Sequence, residues 1–309
     1  MRVLVLGSAA GGGFPQWNCN CPVCQGARAG GGVAFPRTQS SIAASADGAR
    51  WVLFNASPDL RQQITDNPQL HPKTGARHSP IAAVVLTNAD VDHVAGLLTL
   101  RERQPLVLYA SERVQAAVAA NPIFGVLNPE FVRREALPLG GALALTGPDG
   151  ADLGLTVEPF AVPGKVALYL EDPSKGDNLG TEEGDTIGLC VRQPETGAHF
   201  FYIPGCAGLE APLRERLKGA PLVLFDGTLF ENQEMVTAGL GAKTGARMGH
   251  INMSGPDGSM AVLEEMGVER RVYIHINNSN PVLLEDSPER AEVVAAGWEL
   301  AYDGQEIVL

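Results

Sequence analysis

A short segment that follows an apolar run concentrates side chains able to bind a metal or a proton. Residues 81–86 read IAAVVL, and Asn88, Asp90, Asp92 and His93 follow within a few positions. Carboxylate oxygens and imidazole nitrogens at this spacing can converge on one metal ion. An ordinary helix start, in which Asp92 accepts a backbone N–H bond as a cap, is the structural alternative.

A cluster of cysteines near the start of the chain is the second group of potential metal ligands. Cys19, Cys21 and Cys24 form a C-x-C-x-x-C pattern in NCNCPVC, although the whole chain holds only 5 cysteines. Thiolates this close on a turn can share one zinc ion, which prefers a tetrahedral set of ligands. We therefore predict a structural Zn²⁺ site whose remaining ligand comes from a distant part of the chain. Cys190, in the apolar run IGLCV, is typical of a core residue.

Composition narrows the class of protein. A chain of 309 residues with 45% hydrophobic residues can bury a large core, and we expect one domain over residues 1–309. The formal net charge of −12 argues against a nucleic-acid surface, which needs clustered Lys and Arg. An odd number of cysteines is not typical of a secreted disulfide framework, and no apolar run approaches the roughly 20 residues that span a bilayer. These features favour a cytoplasmic protein without membrane insertion.

Alternating apolar patterns predict the elements that position these groups. Strand-like and amphipathic runs alternate along the chain, which indicates an α/β (α+β) architecture of mixed sheets covered by outer helices. The polar stretch 170–185 is predicted to be a surface loop. The predicted strands cover residues 2–6, 41–44, 51–55, 81–86, 106–110, 155–162, 187–191, 200–203, 222–225, 272–276 and 300–309. The predicted helices cover residues 60–65, 94–102, 112–120, 213–218, 260–266 and 288–296.

The segment 88–93 has the spacing of the H-x-H-x-D-H loop of the metallo-β-lactamase superfamily. The stretches WVLFNASPDL, FYIPGCAG, VLFDGTLF and RVYIHINNSNP follow the order in which that superfamily places its site-lining strand ends. A closer resemblance covers essentially the whole chain, because CNCPVC, NADVDHVAGLL, YIPGCAG, FDGTLF, MGHINMSG and HINNSNP together resemble the coenzyme PQQ synthesis protein B family. The resemblance implies a four-layer αββα sandwich of two mixed β-sheets flanked by helices.

The histidines indicate which part of the superfamily's metal site is retained. In its two-metal hydrolases, the first metal uses both histidines of H-x-H and a third from a middle strand, and an Asp bridges the two metals. This chain has 6 histidines, none of which lies between His93 and His199, and Gly205 stands where the bridging Asp is expected. The resemblance therefore implies that the first metal site is lost.

Asp92, His93 and His275 match the ligands of the second metal site. Two imidazoles and one carboxylate on one face of an ion are typical of non-haem Fe(II) oxygenases, so we predict Fe²⁺ there, although Zn²⁺ suits the same residues. Asp90 is predicted to be a further ligand or a catalytic-site carboxylate that orients an imidazole. Asn88 is predicted to bind substrate, because its amide is better suited to hydrogen bonding than to metal ligation.

Four later residues complete the predicted site. His250, before INMSG, matches a superfamily position that faces the active site and shuttles protons, with a backbone-bonded helix-start His as the alternative. Lys243 and Arg247 lie on the glycine-rich stretch GLGAKTGARMGH and are predicted to bind substrate carboxylates, although a solvated surface explains them equally well. In related phosphodiesterases a His three positions after the late metal ligand completes the zinc site. Asn278 holds that position here, which leaves the fourth zinc ligand open.

The resemblance implies a role in making pyrroloquinoline quinone (PQQ), a redox cofactor built from a Glu and a Tyr of a precursor peptide. The leading hypothesis is an enzyme that uses Fe²⁺ and O₂ to hydroxylate the tyrosine ring of an excised Glu-Tyr unit. The alternatives are a carrier that helps PQQ or its precursor to leave the cytoplasm and a hydrolase with one zinc ion. The expected partners are a small peptide-derived substrate or PQQ intermediate and a second copy of the chain in a homodimer.

Overall fold

Two seven-stranded β-sheets lie face to face, and helices cover their outer sides. The computed structural model describes residues 1–309. The strands are β1 (Arg2–Gly7), β2 (Ser41–Ser45), β3 (Trp51–Phe54), β4 (Ile81–Val85), β5 (Leu106–Ala110), β6 (Val132–Ala136), β7 (Leu143–Thr146), β8 (Asp152–Ala161), β9 (Ile187–Arg192), β10 (His199–Ile203), β11 (Val223–Asp226), β12 (Arg271–Ile274), β13 (Trp298–Leu300) and β14 (Glu306–Val308). The helices are α1 (Pro22–Ala29), α2 (Leu60–Asp66), α3 (Val91–Val94), α4 (Glu112–Ala120), α5 (Ala211–Leu217), α6 (Glu234–Thr237), α7 (Gly245–Met248), α8 (Ser259–Glu264) and α9 (Pro288–Ala295).

Each sheet has an antiparallel part and a parallel part. The first sheet has the order β14-β1-β2-β3-β4-β5-β6, and its pairs are parallel from β3 to β6. The second has the order β13-β12-β11-β10-β9-β8-β7, and its pairs are parallel from β10 to β13. Because parallel strands end at the same edge of a sheet, the loops after β4, β10, β11 and β12 can contribute to one site.

Three apolar layers hold this arrangement together. Strand β4 shows how the layers form, because Ala83 and Val85 point between the sheets while Val84 packs under the helices of the first sheet. A strand buried on both faces is apolar at every position, which is why this run looks continuously hydrophobic in the sequence. The four-layer αββα sandwich of mixed sheets is therefore confirmed. No helix combines the length and apolar character needed to cross a membrane.

The helix after β4 differs from the prediction. An α-helix over 94–102 was expected, but α3 covers Val91–Val94 and a 3₁₀ turn follows over Ala95–Arg101. The helix begins early because the carbonyl of Asp90 accepts the backbone N–H bonds of His93 and Val94. Gly96 then lies against a neighbouring loop, where a Cβ atom would stand 2.1 Å from the carbonyl oxygen of Ser57.

Other elements were missing from the prediction because their patterns are weak. Strand β6 is an edge strand with exposed charged residues, and it lacks the apolar alternation that marks a half-buried strand. Helix α1 is short, and the thiol of Cys21 caps it by accepting the backbone N–H of Cys24. The predicted strand 300–309 is wrong as one element, because a turn at Gly304 (φ +84°) separates β13 and β14 into different sheets.

Candidate metal centre

Asp92, His93 and His275 meet at the edge where the parallel strands end. Oδ2 of Asp92 lies 3.1 Å from Nε2 of His275 and 3.8 Å from Nε2 of His93. The two imidazole rings stand edge to face, with their centroids 5.3 Å apart. One ligand atom from each residue lies within 4.8 Å of the others, which is compatible with a single shared ion. The structure thus brings the adjacent residues Asp92 and His93 together with His275, which lies 183 positions after Asp92.

Hydrogen bonds to the outer nitrogens aim both imidazoles at the same point. Nδ1 of His93 lies 2.7 Å from Oδ1 of Asn88, and Nδ1 of His275 lies 2.9 Å from Oγ1 of Thr228. When each Nδ1–H donates outward, Nε2 is the nitrogen that faces Asp92 and would bind a metal. Without an ion, Nε2 of His275 lies at hydrogen-bond distance from Oδ2 of Asp92, 3.1 Å. Asn88 thereby orients a predicted metal ligand, and Thr228, which directly follows β11, does the same.

The environment of His93 fits a bound metal ion. Its Nε2 is buried and has no hydrogen-bond partner. Leaving a buried polar atom unpaired costs about 1–3 kcal/mol, so such atoms usually have a partner. Burial is the main reason why the pKa of His93 is lowered to about 4, which keeps the ring neutral and able to donate a lone pair near neutral pH.

The pKa values of the two carboxylates in the 88–93 loop, Asp90 and Asp92, are shifted in opposite directions. Burial alone would raise the pKa of Asp92, but the neighbouring imidazoles of His93 and His275 lower it well below its usual range. The pKa of Asp90 is raised by burial and by the charge of Asp92. Asp90 lies in the cavity wall but outside the three-residue ligand group, and its Oδ1 accepts the backbone N–H of Leu168 at 3.3 Å.

A second carboxylate and imidazole stand beside the triad. Nδ1 of His250 lies 2.6 Å from Oδ2 of Asp226, and its ring stacks on His275 at a centroid distance of 5.3 Å. Burial would raise the pKa of Asp226, but the charge and hydrogen bond of His250 lower it. Thr228 donates its hydroxyl to Oδ1 of Asp226 at 2.6 Å, which joins the two imidazoles through one hydrogen-bond chain. Asp226, His250 and His275 also have one potential ligand atom each within 4.8 Å of the others. Here, however, Nδ1 of both rings and the carboxylate of Asp226 bond within the protein, which leaves Nε2 of His250 as the free nitrogen.

These groups line a cavity of about 280 Å³. Lys165 and Lys243 are in its wall, whereas Arg247 is not, because its guanidinium pairs with Glu171 at 3.0 and 3.2 Å. Gly205 lies near His250, where a Cβ atom would stand 3.7 Å from Cε1 of that ring. The lining residues are Ala10, Gly11, Asn88, Asp90, Asp92, His93, Lys165, Leu168, Gly205, Thr228, Lys243, Met248, His250, His275 and Asn277.

The cysteine cluster forms a separate candidate site next to the same strand end. The sulfur atoms of Cys19, Cys21 and Cys24 lie within 4.8 Å of one another. Burial raises the pKa of the Cys21 thiol to about 12, so a cation is needed to stabilise a thiolate there. Three converging thiols, of which those of Cys21 and Cys24 are buried, fit zinc in chemistry and number.

Asn278, one candidate for the fourth zinc ligand, lies against this cluster. Its carbonyl oxygen is 3.8 Å from the sulfur of Cys24 and 3.9 Å from that of Cys21, and its Nδ2 is 3.3 Å from the sulfur of Cys24. Two oxygens of Asn278 can therefore reach the cluster, the backbone carbonyl and, after rotation of the amide, Oδ1. Because Asn278 is three residues after His275, the two candidate sites share one strand end.

Comparisons with known proteins agree with the fold and identify the family. A family model described as beta-lactamase superfamily domain matches residues 50–276, so the two sheets and the site at their edge define a protein of the metallo-β-lactamase class. Coenzyme PQQ synthesis protein B of Methylorubrum extorquens is 54% identical over 98% of both chains, and the protein of that name from Xanthomonas oryzae pv. oryzae is 51% identical over 100% of both. The crystal structure of Zn²⁺-bound PqqB from Methylobacterium extorquens covers 100% of both chains with a TM-score of 0.94 and 52% identity. The chain belongs to the coenzyme PQQ synthesis protein B family and takes part in PQQ biosynthesis.

Several groups at the site were not identified from the sequence. Asp226 and Thr228 lie in the quoted stretch VLFDGTLF, and their position at a strand end was the available signal. Lys165 follows β8 in AVPGK, where a single lysine after a glycine resembles any surface turn. Glu171 lies in the stretch predicted to be a surface loop, yet its side chain is only 11% exposed.

Proposed function

We propose that this protein is a mononuclear non-haem Fe(II) enzyme that uses O₂ to hydroxylate the tyrosine ring of a Glu-Tyr unit during PQQ biosynthesis. The observation that carries the proposal is the triad of Asp92, His93 and His275, in which Nε2 of His93 is buried without a partner. Two imidazoles and one carboxylate leave coordination positions open on the other side of an ion. The family indicates the pathway, and the triad supports the proposed class of reaction.

The surroundings of the triad support one metal rather than two. Asn88 and Asp90 stand where two-metal hydrolases place histidines, and Asn88 is bonded to His93. Gly205 provides no bridging carboxylate, and His250 is bonded to Asp226. A two-metal hydrolase needs a pair of ions to clamp the attacking and leaving oxygens, and these residues do not provide the second set of ligands.

Each group at the site has a defined task in this proposal. Asp92, His93 and His275 would hold the iron, which supplies oxygen activation when it is bound. Asp226 fixes the ring of His250 through Nδ1, so the Nε2 side can accept or return a proton of the substrate's phenol. The 280 Å³ cavity is close to the lower end of the usual range for ligand sites, about 300–1,000 Å³, which suits a substrate of dipeptide size.

The test combines metal loading with oxygen control. Insertion of one oxygen atom of O₂ into a ring C–H bond, with reduction of the other to water, consumes two electrons, so the assay includes a reductant. Metal-free protein is loaded anaerobically with Fe²⁺, supplied with a tyrosine-containing dipeptide and ascorbate and then exposed to O₂, and mass spectrometry detects the gain of one oxygen atom. We expect product with Fe²⁺, none with Zn²⁺, and none from His93→Ala with Fe²⁺. His199→Ala, at the start of β10 and outside the cavity wall, is the matched control and should retain activity. Absence of product with every metal would refute the proposal.

A hydrolase with one zinc ion is the second candidate. The observation in its favour is that the structure of the Methylobacterium extorquens relative is a Zn²⁺-bound form. This candidate predicts cleavage of a peptide bond by Zn²⁺-loaded protein under strictly anaerobic conditions. A carrier for PQQ stays a prediction, and it requires binding of the quinone that survives His93→Ala.

A further inference from the structure

The mouth of the cavity concentrates positive charge in an acidic protein. Lys165, Lys243 and Arg247 surround the carboxylate of Glu171, although the chain has a formal net charge of −12. Hydrogen bonding from Arg247 is the main cause that lowers the pKa of Glu171, and both lysines act in the same direction. Three cations and one carboxylate leave an excess of positive charge where a ligand enters.

The partners of these cations differ. The guanidinium of Arg247 donates two hydrogen bonds to the carboxylate of Glu171, at 3.0 and 3.2 Å, and Arg247 does not line the cavity. Lys165 has only long contacts, because its Nζ is 3.4 Å from the carbonyl oxygen of Val166 and 3.6 Å from Oε1 of Glu171. Lys243 makes no hydrogen bond and no ion pair. An ammonium group has three N–H donors, so both lysines retain donors for a ligand.

The charged side chains favour one orientation of a ligand in the cavity. His93 is buried at the inner end beside Asp92, whereas Lys243 is half-buried and the side chain of Lys165 is 20% exposed. A ligand with a carboxylate at one end and a neutral ring at the other is therefore attracted with its carboxylate outward. In the metal-free protein, the reverse orientation brings a carboxylate against Asp90 and Asp92, which is repulsive. A bound ion offsets this repulsion, so the contribution of the lysines is measured by substituting them.

We propose that Lys165 and Lys243 form a subsite for a carboxylate of the substrate, and that Glu171 is the internal carboxylate that the substrate replaces at Lys165. The loose contact between Lys165 and Glu171 suits such an exchange, because Nζ of Lys165 lies 3.6 Å from Oε1 of Glu171, which is longer than a hydrogen bond. The subsite selects acidic over neutral substrates and holds the ring toward Asp92, His93 and His275. The identity of the ring-bearing substrate rests on the proposed function, whereas the selection for a carboxylate does not.

Binding without turnover tests the subsite. Full-length Zn²⁺-loaded protein is titrated calorimetrically with N-acetyltyrosine and with N-acetyltyrosinamide, which differ only in the carboxylate. We expect the acid to bind at least about tenfold more tightly than the amide, as a charge-assisted hydrogen bond provides. Lys165→Gln and Lys243→Gln should each remove most of this preference and leave the amide affinity unchanged. Lys218→Gln, in an exposed turn after α5 and outside the cavity wall, is the matched control and should keep the preference.

The variant Glu171→Gln tests whether Glu171 competes with the substrate carboxylate for Lys165 or only supports the fold. Since the internal competitor for Lys165 loses its charge, we expect the acid to bind about two- to fivefold more tightly and the amide to bind as before. Weaker binding of both probes by this variant would show that Glu171 only supports the fold and would overturn the exchange. Equal affinity of the wild-type protein for acid and amide, no measurable binding of either, or an intact preference in both lysine variants would overturn the subsite. A clear acid preference in a protein that never hydroxylates tyrosine would refute the proposed function and leave the subsite standing.

Discussion

Replacing Thr228 with valine removes one hydroxyl from the support of the candidate metal centre and changes the side-chain shape very little. That hydroxyl accepts from Nδ1 of His275 at 2.9 Å and donates to Oδ1 of Asp226 at 2.6 Å. The variant leaves Nδ1 of the buried His275 without a side-chain partner, while Asp226 keeps the backbone N–H of residue 228. The expected defect is therefore in the orientation of the imidazole.

The magnitude follows from these contacts. Removing a group that orients a metal-bound His typically lowers metal affinity about 10- to 100-fold, which corresponds to about 1.4–2.7 kcal/mol. The loss of two hydrogen bonds that involve a buried carboxylate and imidazole should also lower the free energy of unfolding of the metal-free protein by about 1–3 kcal/mol. Both effects are large enough to measure.

Competition between the protein and a chelator for Fe²⁺ and Zn²⁺ measures the affinity, and urea denaturation measures stability. Thr65→Val is the matched control, because that hydroxyl is exposed and bonds only the carbonyl of Arg61 in its own helix. We expect Thr65→Val to keep the wild-type metal affinity. Wild-type affinity in Thr228→Val would refute the argument that this hydroxyl holds His275 for metal binding.

Three further changes should have measurable effects. Cys21→Ser should remove the zinc, lower the free energy of unfolding by on the order of 3 kcal/mol and reduce iron occupancy through the shared strand end, whereas unchanged melting with full iron occupancy would exclude this coupling. Gly96→Ala should destabilise the protein by about 2–3 kcal/mol in urea denaturation, because its Cβ atom would stand 2.1 Å from the carbonyl oxygen of Ser57, and wild-type stability would show that this contact yields easily. The metal-free protein should lose about 3 kcal/mol of stability as the pH falls from 6.5 to about 4, because the unfolded chain protonates His93 in this range while the folded chain excludes the proton. Denaturation of the metal-free His93→Ala variant should show a smaller loss over the same interval, and an identical loss would assign the effect to other groups.

The sequence was sufficient for the class of fold and for the residues that converge at the site. Buried parallel strands such as β4 are strongly apolar, and the order of the strand-end motifs identified the sandwich and the family. Asp92, His93 and His275 could be selected because histidines are few, so each one that is missing from a ligand position is informative. The approach of Asn278 to the cysteines could be anticipated from its distance of three residues from His275.

The groups that support the site could not be selected in this way. Asp226, Thr228 and Glu171 have residue types that occur throughout the chain, and their roles depend on which loops the sheets bring together. Arginine is a residue type that commonly binds substrates, but in this fold the guanidinium of Arg247 pairs with Glu171. Short elements were missed for a related reason, since the thiol cap of α1 and the charged edge strand β6 have no periodic pattern to detect.

The ligand types of the two candidate sites differ in their ability to discriminate between metals. Three thiolates favour zinc strongly, whereas two imidazoles and a carboxylate bind zinc more tightly than ferrous iron in the general order of divalent ions. A triad of these ligand types would have no chemical means of rejecting zinc, and iron would occupy it only where ferrous iron is in large excess over free zinc. Cells that depend on iron at Asp92, His93 and His275 must keep free zinc scarce relative to ferrous iron, and a preparation made in zinc-rich medium would carry the same ion at both positions.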